Sequence, residues 1–471
     1  MTFPRLLLSL AFFLSFSLLP ATERKPPNIL KIVIDDLGSG DLSSEGHPWL
    51  KTPHLDRLRK DSLRMTDFMV SPTCAPTRAA LLTGAHEFVS GVTHTIHGME
   101  QMNQQSVTLP QILKTAGYST GMFGKWHLGF ENGYEPWKRG FDETVIAEND
   151  GKGQAHSKAV DPLLIFNGTK KQIKGTRDYV FAKEAMSFME KDRDQPFFCY
   201  YATYDPHRAH WAEPRFVEQT EKQMQEADQK GLLKSKNKSK SLFFAEVLQT
   251  DWIIGELLDF LDKAKLSDNT LVYFVTDNGA TDGVDFYNKG MRGHKSTSWV
   301  GGTRALSYWR LPGILKPRDL GESIAHIDVL PTLAEVAGTA LDDKAKKQVT
   351  GRSAWKLMTG ASNEWPLRYL HAHVARWQPG QRNKHKYEGS MVRYGDFDLV
   401  RTKTSVKRKF YTDHPEFHRS STPNGEWALY HRKKDLRQEH NLAKQNPELV
   451  NKLSKEFERW WKDSEQYLIH E

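Results

Sequence analysis

Before residue 360, short apolar runs alternate with segments whose apolar residues recur every three or four positions. Short apolar runs bounded by turn residues are typical of buried strands, whereas the longer spacing is typical of helices. The predicted strands are residues 28–34, 118–123, 197–202 and 270–276. The predicted helices are residues 54–60, 78–82, 109–115, 179–191 and 243–264. This alternation predicts an α/β fold with a central, mostly parallel sheet.

The pattern changes after residue 360. Residues 391–394 and 397–402 are predicted to form antiparallel strands that turn at Gly395-Asp396, and residues 427–430 a third short strand. An amphipathic helix is predicted at residues 448–461. These elements predict a smaller C-terminal α+β subdomain with an antiparallel sheet.

The N-terminal segment has the composition of a secretory signal peptide. Arg5 precedes a run of Leu, Phe, Ala and Ser at residues 6–19, and Pro20-Ala21 offers a small-residue cleavage site. A retained N-terminal anchor is the alternative. Export to the periplasm or the medium is expected, without stable membrane insertion, because no later run approaches the ~18 apolar residues of a membrane helix. The predicted division is a signal peptide at 1–22, a large domain at 23–360 and a subdomain at 361–471.

Charge and cysteine content narrow the function only partly. The chain has 66 Lys and Arg against 58 Asp and Glu, and its net charge of +8 favours anionic partners. Nucleic acid, a membrane surface and a sulfated glycan all remain open on charge alone. Two cysteines, Cys74 and Cys199, exclude a disulfide scaffold but leave a single bridge open. Because Cys199 lies in the apolar run at 197–202, we expect a buried, inert thiol there.

Oxygen-bearing side chains follow two of the predicted strands. Asp35-Asp36 ends the first strand, and Asp277-Asn278 follows the run at 270–276. Ligand sites of parallel α/β sheets form outside the carboxyl ends of the strands, so these four side chains are expected to meet. Three carboxylates and an amide suit Ca²⁺ or Mg²⁺, whereas zinc would require His or Cys ligands. The same residues are also ordinary turn formers.

A cysteine motif, Cys74-Ala75-Pro76-Thr77-Arg78, precedes Leu81-Leu82-Thr83-Gly84. A cysteine just before a helix start that contains proline lies near helix N–H groups, which favour negative charge. Arg78 is four residues further on and returns to the same helix face. The two segments resemble the signature of the type I, formylglycine-dependent sulfatases, in which Cys-x-Pro-Ser/Thr-Arg is followed by Leu-Thr-Gly.

The resemblance implies a modified nucleophile and a metal. In that family a separate maturation enzyme oxidises the cysteine, here Cys74, to formylglycine (3-oxoalanine). One hydroxyl of the hydrated aldehyde attacks sulfur, and the other later expels sulfate. The resemblance also implies an alkaline-phosphatase-like fold and hydrogen bonding of the nucleophile by Arg78. The implied ligands of one Ca²⁺ are Asp35, Asp36, Cys74, Asp277 and Asn278.

The segment Gly124-Lys125-Trp126-His127-Leu128-Gly129 resembles the second signature of the family. Lys125 and His127 lie at i and i+2 of an extended segment, so both can face one bound anion. The resemblance implies that Lys125 binds the sulfate. It also implies that His127 contacts the nucleophile and acts as the base that collapses the sulfated intermediate.

Asp205-Pro206-His207 resembles the family's Pro-His-x-Pro segment. The resemblance implies that His207 binds sulfate and protonates the leaving oxygen. The chain departs from the family pattern at Ala209, where proline is usual, and His210 is a second candidate for the same role.

Gly293-His294-Lys295, followed by Trp299-Val300-Gly301-Gly302, resembles the family's lysine segment. The resemblance implies that Lys295 binds sulfate and stabilises the departing alkoxide. Val300 replaces the family's usual glutamate. Together with Arg78, Lys125 and a dication, Lys295 would supply preorganised positive charge around the transferred sulfuryl group.

The substrate is predicted from weaker signals. Aromatic, basic and acidic residues near the motifs suit stacking on a sugar and pairing with its charged groups. We expect a sulfated carbohydrate, with a galactose-containing polysaccharide as the first guess, as for bacterial polysaccharide sulfatases, and no nucleic acid partner. The candidate substrate residues are His94, His97, Glu100, Trp211 and Arg304.

Two other functions stay open at this point. A phosphatase or phosphodiesterase of the same superfamily would usually carry a Ser or Thr nucleophile and His-rich zinc ligands. A non-catalytic protein that binds anionic glycans would keep a basic groove without needing an oxidised Cys74.

Overall fold

The computed structural model describes residues 25–147, 158–191, 194–233, 240–403 and 422–468. The predicted signal peptide at 1–22 lies outside these residues. Every helix within them is too short or too polar to cross a bilayer.

Strands and helices alternate along the large domain, and strands dominate the early part of the C-terminal subdomain. The strands are β1 (Asn28–Ile34), β2 (Leu63–Met65), β3 (Phe68–Met69), β4 (Ser119–Gly124), β5 (Glu143–Ala147), β6 (Leu163–Phe166), β7 (Thr169–Gln172), β8 (Phe197–Ala202), β9 (Thr270–Thr276), β10 (Arg304–Ala305), β11 (Ser307–Arg310), β12 (Arg318–Leu320), β13 (Ile324–Ala325), β14 (Tyr369–His373), β15 (Gly389–Tyr394), β16 (Phe397–Thr402) and β17 (Ala428–His431). The α-helices are α1 (Pro53–Lys60), α2 (Cys74–Thr83), α3 (Leu109–Thr115), α4 (Arg177–Glu190), α5 (Pro214–Gln229), α6 (Ser241–Lys263), α7 (Val300–Thr303), α8 (Val329–Val336), α9 (Asp343–Gln348), α10 (Trp355–Thr359) and α11 (Pro447–Ser464).

A ten-stranded sheet organises the large domain, in the order β12-β2-β11-β9-β1-β8-β4-β5-β6-β7. Its centre is parallel: β1 pairs with β8 on one side and with β9 on the other, and β4 pairs with β8 and β5. The flanking pairs β11–β9, β11–β2, β5–β6 and β6–β7 are antiparallel. The predicted mostly parallel α/β sheet is confirmed at its centre. The antiparallel flanks were missed because these strands are short, and β7 is exposed at every position.

Helices cover both faces of the central sheet. Along β1, Ile29 and Val33 join a hydrophobic cluster with residues of α2, α3 and α8. The alternate positions, Leu30 and Ile32, join a second cluster with α1, α4 and α6. Successive side chains of a strand point to opposite faces, so a strand buried on both sides is apolar at most positions. This explains why the central strands were visible as nearly continuous apolar runs. Lys31 is the exception among the buried positions of β1, and its Nζ donates to the Leu81 carbonyl at 3.4 Å.

The C-terminal subdomain is a four-stranded antiparallel sheet, β14-β15-β16-β17, with α11 on one face. Phe457 and Trp461 of α11 pack against Val392 and Leu399. The opposite face shares a hydrophobic cluster with Trp299 of the large domain. The predicted antiparallel subdomain is confirmed, and the boundary at residue 360 stays a prediction.

Helix α2 begins earlier than the sequence-based expectation, and five helices were not predicted at all: α5, α7, α8, α9 and α10. Helix α2 begins at Cys74 rather than near Arg78, and Pro76 lies in its first turn, where a missing N–H costs no helical hydrogen bond. The sequence of α5 is strongly polar, and its buried positions are only Phe216, Thr220, Met224 and Ala227.

Candidate active site

Four oxygen-bearing side chains meet at the carboxyl ends of β1 and β9. These strands pair in register up to Ile34 opposite Thr276, so the residues that follow each strand emerge side by side. Asp36 has a positive φ of 65°, and its backbone N–H donates to Asp277 Oδ1 at 3.3 Å. Asn278 Nδ2 donates to Asp36 Oδ1 at 3.0 Å. The expected meeting of Asp35, Asp36, Asp277 and Asn278 is present in the structure.

Helix α2 places Cys74 and Arg78 against these carboxylates. Cys74 is the first residue of the helix, and both side chains are buried. Arg78 donates to Asp277 Oδ2 from Nε at 3.0 Å and from Nη2 at 2.7 Å, and Nη1 donates to the Lys125 carbonyl at 2.9 Å. One arginine therefore fixes α2, the strand end after β9 and the loop after β4 relative to one another.

The donor set fits a hard dication. Asp35, Cys74 and Asp277 each offer an atom, and these three atoms lie within 4.8 Å of one another. Asp35 Oδ1 and Asn278 Oδ1 are buried and accept no hydrogen bond. Buried oxygens normally have a partner, so such oxygens beside a group of carboxylates are what an oxygen-binding cation would satisfy.

Lys125 and His127 leave the end of β4 and enter the same cluster. A side chain at Gly124 would place its Cβ 1.8 Å from the Ala202 carbonyl, so only glycine allows the strand to end this close to β8. Lys125 Nζ forms an ion pair with Asp35 Oδ2. His127 Nδ1 lies 3.4 Å from Cys74 Sγ. Its Nε2 lies 3.3 Å from the Thr95 carbonyl, which requires a donor, so Nδ1 carries the lone pair that faces Cys74.

His207 and Lys295 both contact Asp36. His207 Nε2 lies 3.8 Å from Asp36 Oδ2, and Lys295 Nζ pairs with Asp36 Oδ1. His207 Nδ1 lies 2.6 Å from the Arg208 carbonyl and must donate to it, which leaves Nε2 for proton exchange in the site. His210 instead pairs with Glu246 and Asp282, which favours His207 over His210 for the predicted role.

Burial and the crowding of carboxylates shape the electrostatics of the cluster. Burial and the neighbouring Asp35 carboxylate raise the pKa of Asp277 well above its usual range. Burial also opposes ionisation of Asp35, but Lys125 and the other cations hold the pKa of its carboxyl well below normal. Burial lowers the pKa of His127 to about 3, assisted by Lys125. Three crowded carboxylates of which one resists ionisation are what a bound dication would stabilise.

Comparisons with known proteins identify the family. The sulfatase family model matches residues 27–339. The chain belongs to the sulfatase family. It is therefore an enzyme that hydrolyses sulfate esters, which excludes the non-catalytic glycan-binding alternative and disfavours the phosphatase.

The relatives of this sulfatase are named for different substrates. The steryl-sulfatase of Rattus norvegicus is 28% identical, over 80% of this chain and 79% of its own length. The N-acetylgalactosamine-6-sulfatase of Homo sapiens is 30% identical, over 68% of this chain but only 64% of its own length. The crystal structure of Ps i-CgsB in complex with k-i-k-neocarrahexaose has a TM-score of 0.77 at 22% identity, covering 95% of each chain. The last similarity bears on the fold alone.

Three of the predicted substrate residues lie beside the sulfatase site. His94 is buried, and its Nε2 lies 3.1 Å from the Trp377 carbonyl. His97 is exposed, with its ring centroid 6.1 Å from that of His94. Glu100 acts electrostatically on His127, and its buried Oε2 accepts no hydrogen bond. His94 thus has a structural contact, whereas His97 and Glu100 stay candidates for contact with substrate.

The other two predicted substrate residues have structural contacts. The backbone N–H of Trp211 donates to Glu246 Oε1 at 2.6 Å. The side chain of Trp211 is half-buried and stays a candidate for substrate contact. Arg304 donates to Asp67 Oδ1 at 3.1 Å, in a buried cluster with Arg393 and Arg432 of the C-terminal subdomain. The predicted contact between Arg304 and substrate has no support in this placement, because Asp67 binds its guanidinium at the subdomain junction.

The residues that hold the His207 loop were not predicted from the sequence. Gln249 Nε2 and Arg177 Nη2 donate to the buried carboxylate of Asp205, each at 2.9 Å. The Tyr204 N–H donates to Asp178 Oδ1 at 2.6 Å. Asp205 stands beside the histidine motif and could have signalled a buried anchor, but its partners lie on α4 and α6 and have no motif of their own.

Proposed function

We propose that this sulfatase removes sulfate from a sulfated carbohydrate, using one Ca²⁺ and formylglycine formed from Cys74. The single observation that carries the proposal is the position of Cys74, between the carboxylates at the ends of β1 and β9 and the surrounding cations. Formylglycine would supply the hydroxyl nucleophile at position 74. Asp35, Asp36, Asp277 and Asn278 would hold Ca²⁺, which would contribute positive charge for the sulfate oxygens and a lower pKa for the nucleophile.

The protein's own cations would bind and orient the sulfate. Arg78, Lys125 and Lys295 are buried, and each contacts a carboxylate of the cluster. Because these side chains are already held in place, they would stabilise charge on the transferred group without reorganising. Without the metal, their three positive charges balance the three aspartates, so a dication would give the site the excess charge that an anionic substrate needs.

The two histidines would move protons on opposite sides of the site. His127 Nδ1 faces Cys74 and is positioned to take a proton from the nucleophile. Burial lowers the pKa of His207 to about 3. The negative charge of a bound sulfate ester would raise that pKa and favour a proton on Nε2, available for the leaving oxygen. A sugar hydroxyl is a poor leaving group, so such assistance would matter more than for a phenol.

The proposed substrate class follows from the relatives rather than from the site. The N-acetylgalactosamine-6-sulfatase is named for a sulfated sugar, and Ps i-CgsB was crystallised with a neocarrahexaose. A steryl-sulfatase is nevertheless also a relative. The first substrate to test is a galactose-containing polysaccharide or oligosaccharide. The enzyme would be exported, and a formylglycine-generating enzyme would mature it.

The test uses enzyme matured in a host that forms formylglycine. Mass spectrometry of the tryptic peptide containing residue 74 should show the aldehyde, and a panel of sulfated oligosaccharides and steroid sulfates should show sulfate release from the sugars. An unmodified thiol in active enzyme would overturn the proposed nucleophile. Turnover of steroid sulfates alone would overturn the proposed substrate class.

A further inference from the structure

The loop between β14 and β15 brings the C-terminal subdomain to the edge of the active site. Arg376 Nη2 of this loop donates to Thr95 Oγ1 at 3.0 Å. The carbonyl of the same Thr95 lies 3.3 Å from His127 Nε2. Trp377, the next residue of the loop, packs edge-on against His94 with ring centroids 5.4 Å apart. Thr95 therefore contacts both Arg376 and His127, the histidine that faces Cys74.

The loop at 374–388 is basic. It contains four Lys and Arg residues and a single carboxylate, Glu388. Arg382 is buried with its guanidinium carbon 4.0 Å from the centre of the Trp461 ring, and Lys386 pairs with Glu458. Arg376, in contrast, is exposed where the loop meets Thr95. Arg376 acts electrostatically on His94, which places the positive charge of its guanidinium on this side of the site.

Arg376 lies outside the set of cations that would bind the scissile sulfate. Arg78, Lys125 and Lys295 are all buried among the carboxylates at the strand ends. A cation on the rim has a different geometric role, because it meets parts of the substrate beyond the reacting sulfur. The planar guanidinium matches the two oxygens of a carboxylate or the face of a sulfate.

We propose that Arg376 binds a second anionic group of the substrate, a carboxylate or another sulfate ester next to the one that is cleaved. The proposal rests on the function proposed above and narrows its substrate class to carbohydrates with more than one negative charge.

Binding to a Cys74→Ser variant loaded with Ca²⁺ tests the proposal without turnover. Titration calorimetry would compare three disaccharides: one with a single sulfate and no other charge, one with two sulfates, and one with a sulfate and a uronic carboxylate. Adding Arg376→Ala should raise Kd about tenfold or more for at least one of the doubly charged ligands, as expected for the loss of a charge-assisted hydrogen bond. For the singly charged ligand the change should stay below about twofold. If Arg376→Ala weakens binding of only one of the two doubly charged ligands, that ligand shows whether the second group is a sulfate or a carboxylate.

Two control variants separate recognition from net charge. Arg57→Ala removes another exposed arginine, paired with Asp259 on α6, and should leave all three Kd values unchanged. Arg376→Lys keeps the charge without the planar fork and should give an intermediate loss. Equal weakening of all three ligands by Arg376→Ala, no weakening, or no binding of a doubly charged ligand would each overturn the proposal. Failure of the proposed function would appear separately, as absent sulfate release by matured wild-type enzyme.

Discussion

Two buried clusters of charged side chains differ in how completely their oxygens are satisfied. The first is the active-site cluster around Asp35, Asp36 and Asp277. The second, here called the junction cluster, consists of Asp67 with Arg304, Arg393 and Arg432 between the large domain and the C-terminal subdomain. Both contain carboxylates and guanidiniums excluded from solvent.

The carboxylate oxygens of the junction cluster are all hydrogen-bonded. Both carboxylate oxygens of Asp67 accept hydrogen bonds from arginines, and Arg393 also donates to Asp398 at 2.8 and 3.0 Å. In the active-site cluster, Asp35 Oδ1 and Asn278 Oδ1 accept none, and the Cys74 side chain lies among the charges. Buried charge alone therefore does not mark a functional centre, because ion pairs also join structural elements. What distinguishes the active-site cluster is that its unsatisfied oxygens lie next to Cys74, the proposed nucleophile.

The sharpest test of this comparison is Cys74→Ala. Turnover should fall by about 10⁴-fold or more, because the nucleophile is lost, while the ion pairs around it remain. Initial rates with 4-nitrophenyl sulfate and thermal melting would be measured together. Cys199→Ala is the matched control, since Cys199 is a buried thiol within β8 that forms no disulfide, and this variant should keep its turnover. Comparable activity in Cys74→Ala would refute the proposed mechanism.

Removal of metal should affect the active-site cluster alone. Chelation is expected to lower turnover by about 10²-fold or more, because several kcal/mol of charge stabilisation is lost. Ca²⁺ should restore the rate, and the midpoint of restoration would be followed by titration. Restoration by Zn²⁺ but not by Ca²⁺ would contradict the oxygen-ligand assignment.

Asp67→Ala should have the converse effect. It leaves three buried guanidiniums without their shared carboxylate, so the free energy of unfolding should fall by about 3–5 kcal/mol. Turnover per folded molecule should change far less than in Cys74→Ala. Asp319→Ala is the control: this exposed carboxylate pairs with Arg64, and its removal should cost less than about 1 kcal/mol. A stable Asp67→Ala protein without activity would show that the junction cluster acts on catalysis.

The smallest expected effect is on the pH dependence of folding stability, which should differ between His210 and the junction cluster. Burial opposes the charge on His210, but Asp282 and Glu246 raise its pKa to about 9. Because this lies above the unfolded value of about 6.5, the stabilisation is complete below that pH and is lost as pH rises through 9. Burial raises the pKa of Glu246 to about 7, so below that pH Asp282 is the charged partner.

Denaturant unfolding of wild type and His210→Gln at about pH 6 and about pH 10 would measure the effect. The difference should be about 2 kcal/mol at the lower pH and close to zero at the higher. The junction cluster should respond in the opposite direction: its arginines hold the pKa of Asp67 below the usual range, so its contribution is lost only in acid. A His210→Gln difference that grew with pH would contradict this assignment.

The sequence by itself determined the α/β core, the C-terminal sheet, the strand-end carboxylates and the nucleophile motif. These features are encoded locally: a strand buried on both faces is apolar at most positions, and residues that end parallel neighbours emerge at one edge. Only the tertiary structure decided which charges are satisfied. Arg304 and Arg376 are both basic residues outside the signature motifs, yet one is bound by Asp67 and the other reaches Thr95 at the site. That difference depends on how the C-terminal subdomain packs against the large domain, through contacts between residues hundreds of positions apart that no local pattern records.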